Sequence, residues 1–254
     1  MQAASDGRPR AAVLGCAIDA VSWDDILERI ERWSERRESR YVCLCNVHSL
    51  VTARQDGRLR QVLNGADAAT PDGMPVAWYL RRSGFPGQQR INGPDLMWRY
   101  CERAAANGTP IFLYGATDRT LALLAARLRQ AFPGIRIAGS HAPPFRDLTP
   151  REEDGIAALI RRSGARVVFV GLGCPKQELW MARQRGKLRA VMIGVGAAFD
   201  YHAGTLRRAP RWMQNSGLEW LFRLMTEPRR LWRRYLVTNS LFVYYLVTGR
   251  VGGD

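Results

Sequence analysis

The sequence predicts an α/β fold: a mostly parallel sheet with helices on both faces, followed by a helical C-terminal appendage. Three observations carry this. Short apolar runs rich in Val, Ile, Leu and Phe recur between Tyr41 and Gly196. Amphipathic stretches of helical length lie between them. From Ala209 onward the alternation stops and the pattern is helical alone. Strands alternating with helices at this spacing build parallel sheets covered by helices. The division this suggests is a core over residues 1–204 and an appendage over 205–254.

Taken in order, "SWDDILERIERW" opens with Ser22 and has Asp25 three residues on, the pattern of a capping box. "YVCLC" (41–45) reads as a buried strand, and Ala68–Thr70 as another. "PIFLYG" (110–115), "IRIAG" (135–139), "ARVVFVG" (165–171) and "AVMIGVG" (190–196) follow the same pattern. "TDRTLALLAARLRQAF" and "TPREEDGIAALIRRSG" supply helices between them.

The chain has 254 residues and a formal net charge of +15, and 46% of it is hydrophobic, enough for a packed core. The charge favours polyanionic partners such as anionic lipid, phosphorylated substrates or nucleic acid. Only Lys176 and Lys187 are lysines, and an arginine skew of this kind also arises from genome composition, so the placement of charge says more than its total. The five cysteines form no C-x-x-C pair and read as reduced thiols of a cytosolic protein. "MQAASDGRPRAAVLG" lacks the apolar stretch of a signal peptide. The apolar run 236–248 is shorter than the roughly 20 residues needed to cross a bilayer.

In open α/β sheets, ligands bind beyond the carboxyl ends of the strands. There the sequence places Asn46 and His48, then Pro71-Asp72-Gly73, Gly115-Ala116-Thr117, "GLGCPKQE" from Gly171, and "GVGAAFD" from Gly194 to Asp200. In "GLGCPKQE", Pro175 suits a helix start, and Lys176 and Gln177 fall in the first turn, where free N–H groups and the helix dipole favour an anion. Neither a G-x-G-x-x-G fingerprint nor a Walker A sequence is present, and no Asp-x-Asp pair exists. His48, His141 and His202 have no ligand spacing, so no metal and no cofactor are expected. Asp72, held on a tight turn, can accept a proton from a hydroxyl. Read locally, Pro-Asp-Gly is a common turn and favours a plain turn aspartate capping the next helix.

Residues 205–235 contain eight arginines against Glu219 and Glu227, interleaved with Trp212, Trp220, Phe222, Trp232 and Tyr235. Arginine forks chelate phosphates, and basic-aromatic amphipathic segments lie in anionic membrane interfaces.

"PDGMPVAW", "QRINGPDLMWRYCERA", "FLYGA", "VGLGCPKQELWM", "GVGAAFDYHAG" and "RAPRWMQNSGLEWLFRLMTEPRRLWRRY" together resemble, in order, the motifs of the WecG/TagA/CpsF family of bacterial glycosyltransferases. The resemblance implies a Rossmann-like α/β core and a C-terminal appendage that aids association with the cytoplasmic face of the membrane. It implies metal-independent, inverting transfer of a hexose from a UDP-sugar to a polyprenyl-diphosphate-linked saccharide in cell-surface or exopolysaccharide synthesis. The family's base falls on Asp72, its sugar-site Arg on Arg90 and its motif Gln on Gln177, with Asn46 beside them. UDP is assigned to Gly115, Ala116, Gly171, Gly173, Gly196 and Asp200, and phosphate contacts to Arg223, Arg230 and Arg233. Members using N-acetylmannosamine often carry Thr two positions before the Asn, and this chain departs from them with Leu44. The partners expected are thus a UDP-sugar, a lipid-linked glycan and an anionic membrane surface, with self-association left open. The strand–helix pattern also admits another Rossmann-type nucleotide-dependent enzyme, and the charge alone a nucleic-acid-binding module.

Overall fold

The computed structural model describes residues 8–249. Its elements run β1 (Arg10–Val13), β2 (Cys16–Asp19), α1 (Trp23–Glu35), β3 (Arg40–Cys45), α2 (Val47–Gln55), α3 (Gly57–Asn64), β4 (Ala68–Pro71) and α4 (Met74–Arg82). Then come α5 (Gly93–Asn107), β5 (Ile111–Gly115), α6 (Asp118–Ala131), β6 (Ile137–His141), α7 (Pro150–Ser163), β7 (Val167–Gly171), α8 (Lys176–Gln184) and β8 (Val191–Gly194). Four helices close the chain: α9 (Ala198–Ala203), α10 (Arg211–Asn215), α11 (Glu219–Thr226) and α12 (Pro228–Val247).

The main sheet is six-stranded, in the order β4-β3-β8-β7-β5-β6, with helices around it. β3 pairs with β8, β8 with β7, β7 with β5 and β5 with β6, all in parallel. Strands of a parallel sheet are covered on both faces, so they read as continuous apolar runs rather than alternating ones. Accordingly β5 (IFLYG) and β8 (VMIG) are buried at every position. The α/β architecture expected from the alternation is the one found. β6 begins two residues later than "IRIAG" suggests; Gly139 then lies under the Phe112 ring, where a Cβ would approach Cε2 to 2.7 Å. The sequence reading did not anticipate the β1–β2 hairpin, whose turn uses positive φ at Leu14 (53°) and Gly15 (79°).

By packing, the described chain falls into two compact units. The first gathers 8–23, 44–91 and 209–249; the second gathers 24–43 and 92–208. Within the first, β2 packs on β4, α4 on β4 and α12 on α2. The C-terminal helices therefore have a core of their own in that unit, with Met213, Leu231 and Phe242 buried. Burying a side chain such as Leu231 or Phe242 contributes about 1.5–3 kcal/mol. Within the second unit, α5 and α6 pack on α9 and α8 on β8. Two of its helices have side-chain caps: Thr117 caps α6 through Thr120 N, and Thr149 with Glu152 forms a capping box on α7.

Candidate active site

The first unit contains a cavity of about 800 Å³. Its wall draws on four segments: Asn46, Val47 and His48 at the start of α2; Asp72 to Arg82 on the turn and α4; Arg90; and Gly217 to Leu246 from the C-terminal helices. The chemistry starts at the end of β4. The Asp72 backbone N–H donates to the Cys45 carbonyl at 2.9 Å, and Ile91 N–H donates to the Pro71 carbonyl at 2.9 Å. Both sides of the turn are thereby pinned. Gly73 then adopts φ 103°, ψ 142°, a region open in practice only to glycine, and serves as the N-cap of α4 without a side-chain bond. Asp72 does not cap the helix. Its carboxyl is left to the cavity.

That carboxyl has an unusual proton affinity. Burial pushes its pKa up from 3.8 to about 6. Arg90 opposes the rise, Glu219 adds to it, and a hydrogen bond from Asn46 and the charge of Arg223 oppose it. A carboxylate that titrates near neutrality suits proton abstraction better than an ordinary one, which is too weak a base. Asn46 is held in place by its own helix: its Oδ1 accepts from Ser49 N at 3.1 Å, a capping box on α2. Arg90, with a side chain only 10% exposed, pairs with Glu219 at 2.8 Å. His48 lines the same cavity; burial, and then the nearby Arg234, push its pKa down to about 4, so its imidazole is neutral at pH 7.

A second cluster forms in the second unit, at the carboxyl ends of β5, β7 and β8. Gln177, 5% exposed in the first turn of α8, accepts at Oε1 from Gly173 N at 3.2 Å and from Gly196 N at 3.1 Å. Its Nε2 donates to Glu178 Oε1 at 2.9 Å. One amide thus ties the turn after β7 to the turn after β8. Gly115 and Gly171 bring two strand ends together: a Cβ on Gly115, at φ 129°, would lie 2.5 Å from the Gly171 carbonyl oxygen. Ala116 N–H donates to that same carbonyl at 3.3 Å. Asp200 lies in the first turn of α9 and accepts from Thr205 Oγ1 at 3.2 Å. Lys176 is exposed and pairs with Asp147 at 3.3 Å.

Of the residues expected from sequence, the structure brings Asn46, Asp72, Arg90 and Arg223 to one cavity, and Gln177, Gly173 and Gly196 to one hydrogen-bonded cluster. Arg230 and Arg233 are not among the residues lining the cavity. The basic segment is not one continuous helix: it breaks at Glu227, which ends α11 and precedes Pro228 of α12. Arg230 pairs with Glu227, and Arg233 lies over the Trp232 ring at 5.4 Å. Arg234 and Tyr235 line the cavity instead. Sequence reasoning did not single out Glu219, Arg234 or Tyr235. The helical phase of Leu231, Thr238 and Phe242, the buried positions of α12, was the available signal for the last two. Among the described residues, no group of three or more His, Cys, Asp and Glu converges as a metal site, and no helix is long and apolar enough to cross a membrane.

A family model, that of the Glycosyl transferase WecG/TagA/CpsF family, matches residues 11–253. The match spans nearly the whole chain, and the chain belongs to that family of glycosyltransferases.

Proposed function

We propose that this glycosyltransferase inverts the anomeric centre and works without a metal, moving a hexose from a UDP-sugar to a polyprenyl-diphosphate-linked saccharide in bacterial surface or exopolysaccharide synthesis. The observation that carries this reading is the Asp72 carboxyl, titrating near pH 6 in a cavity that also holds Arg90 and Arg223. Asp72 takes the proton of an acceptor hydroxyl. The oxygen attacks the anomeric carbon as the bond from that carbon to the UDP oxygen breaks, so one C–O bond forms, one breaks and UDP departs with the electron pair. Inversion follows from attack opposite the leaving group.

Asn46 and Arg90 position the sugar beside Asp72 in this proposal, and Gln177 orders the turns that carry Gly173 and Gly196. Gly115, Ala116, Gly171, Gly173 and Gly196 offer backbone groups at strand ends to UDP, and Asp200 adds a carboxylate acceptor for a hydroxyl or base N–H. Arg223 meets phosphate inside the cavity, while Arg230 and Arg233 bring charge from outside its lining. Positive side chains and helix N-termini can stabilise a departing diphosphate in place of a metal. The outer face of α12 supports a membrane role: Trp232, Leu236 and Val247 are exposed, with Arg229 and Arg233 at the helix start. Such a face lies in an anionic interface without crossing it. In this proposal the enzyme works on the cytoplasmic face of the bacterial membrane.

The test is UDP release against a panel of UDP-sugars with lipid-linked acceptors, with and without excess chelator, alongside co-sedimentation with anionic vesicles. Turnover that survives chelator and requires both substrates is the expected result. Loss in chelator restored by Mn²⁺ or Mg²⁺ overturns the metal-independent reading.

A further inference from the structure

Arg90 is gripped by one short stretch of the C-terminal segment. Its Nη1 donates to Glu219 Oε2 at 2.8 Å and to the Gln214 carbonyl at 3.4 Å. Its Nη2 donates to Gln214 Oε1 at 3.5 Å. The Gln214 amide is itself oriented, because Nε2 donates to the Ala209 carbonyl at 2.7 Å and leaves Oε1 for Arg90. Glu219 opens α11, and the approach to that helix is fixed at Gly217. There a Cβ would meet the Trp78 ring at 2.9 Å and Met74 Cβ at 3.3 Å. Met74 and Trp78 belong to α4, which starts directly after the Asp72–Gly73 turn. The connection between α10 and α11, whose flanking residues grip Arg90, is therefore packed on the helix that follows the Asp72 turn.

We propose that Glu219 is a positioning residue of the transfer reaction: it holds the Arg90 guanidinium in the cavity and sets the net charge that the Asp72 carboxyl faces. This rests on Asp72 acting as the base. The logic is electrostatic. A guanidinium near a carboxylate favours its ionised form, and too strong a pull leaves a poor base. A second carboxylate paired with that guanidinium offsets the pull. Glu219 also lines the cavity and acts on Asp72 in the sense opposite to Arg90. The other ionisable groups lining the cavity are His48 from α2, Tyr79, Arg81 and Arg82 from α4, Arg223 from α11, and Arg234 and Tyr235 from α12. They are unchanged in the variants below.

The experiment measures two midpoints in wild type, Glu219→Gln, Arg90→Gln and the double variant. One is the acid limb of kcat/KM against pH; the other is the Asp72 carboxyl titration by ¹³C NMR, assigned with Asp72→Asn. Thermal melts confirm that each variant folds, and Glu219→Gln keeps the shape of the side chain. Glu219→Gln should lower both midpoints by about one pH unit and Arg90→Gln should raise them. In the double variant the two shifts should fail to add, because the residues act as one pair. Unchanged midpoints in Glu219→Gln, or strictly additive shifts, overturn the proposal. Failure of the base assignment looks different: Asp72→Asn would then retain the wild-type acid limb, and the NMR midpoints alone would still decide whether Glu219 governs the Asp72 carboxyl.

Discussion

The cluster around Gln177 and the cavity around Asp72 are built on opposite principles. The first is made of backbone. Its partners are Gly173 N and Gly196 N, brought together by the ends of neighbouring parallel strands and tied by one neutral amide. The second is made of charge. Asp72, Arg90, Glu219, Arg223 and Arg234 arrive in it from the turn after β4, a loop and two C-terminal helices. A backbone site is fixed once the strands are fixed, whereas a charged site needs every contributing segment to hold its register. The contrast predicts that the first should respond to substitution mainly through stability, and the second mainly through rate and pH.

The largest expected effect tests the charged site. Asp72→Asn should lower turnover by about 10²–10⁴-fold, the scale of a general base. Near-normal turnover would remove Asp72 from the chemistry. The same substitution should leave the fold more stable at pH 7. The Asp72 pKa is raised in the folded protein, from 3.8 to about 6. Between those values the folded state keeps a proton that the unfolded chain releases, so stability falls as pH rises through the window. Asn carries no charge to bury. Urea unfolding at pH 7 should therefore show a gain on the order of 1–2 kcal/mol, and at pH 3.5 almost none. A variant that is slower and equally stable at both pH values would mean that burial does not set the affinity of this group.

Gln177→Glu tests the backbone site. The carboxylate can still accept from Gly173 and Gly196, but it loses the donor to Glu178 and sets two acids side by side. A loss of stability of about 1–3 kcal/mol is expected at pH 7, smaller at low pH where one carboxyl takes a proton. Denaturant unfolding at the two pH values measures it. Unchanged stability would mean that the amide orientation at Gln177 is not what ties the two turns.

The same contrast explains what the sequence discloses. The sheet was legible because parallel strands are buried on both faces, so "VVFVG" and "VMIG" declare themselves as apolar runs bounded by glycine turns. Their ends are then the natural places for ligand-binding turns, and Gly115, Gly171, Gly173, Gly196 and Gln177 fall there. Asp72 and Asn46 were legible as polar residues directly after strands. Glu219, Arg234 and Tyr235 were not. Their positions depend on how α11 and α12 fold back onto the α2 and α4 region, a contact between segments more than a hundred residues apart in sequence. Arg223, Arg230 and Arg233 look equivalent when the basic segment is read as one helix. The break at Glu227–Pro228 separates them.

That separation gives the smallest of the expected effects. Arg223 lines the cavity, is about one-fifth exposed and acts on the Asp72 carboxyl. Arg230 is 61% exposed and pairs with Glu227 on the surface of α12. An arginine in a partly desolvated cavity interacts strongly with a phosphate, because few waters compete and the local dielectric is low. An exposed one shares its charge with solvent and salt, and its ion pair is worth little. Arg223→Ala should therefore cost about tenfold or more in kcat/KM for a diphosphate-bearing acceptor, whereas Arg230→Ala should cost only about twofold to threefold. Raising the ionic strength sharpens the difference. The residual effect of Arg230 should fade once the Debye length falls to roughly 3 Å near 1 M salt, while that of Arg223 should persist. Steady-state kinetics on a short, soluble acceptor measures both without the membrane. Equal losses in the two variants would mean that the diphosphate is met outside the cavity, on the exposed start of α12.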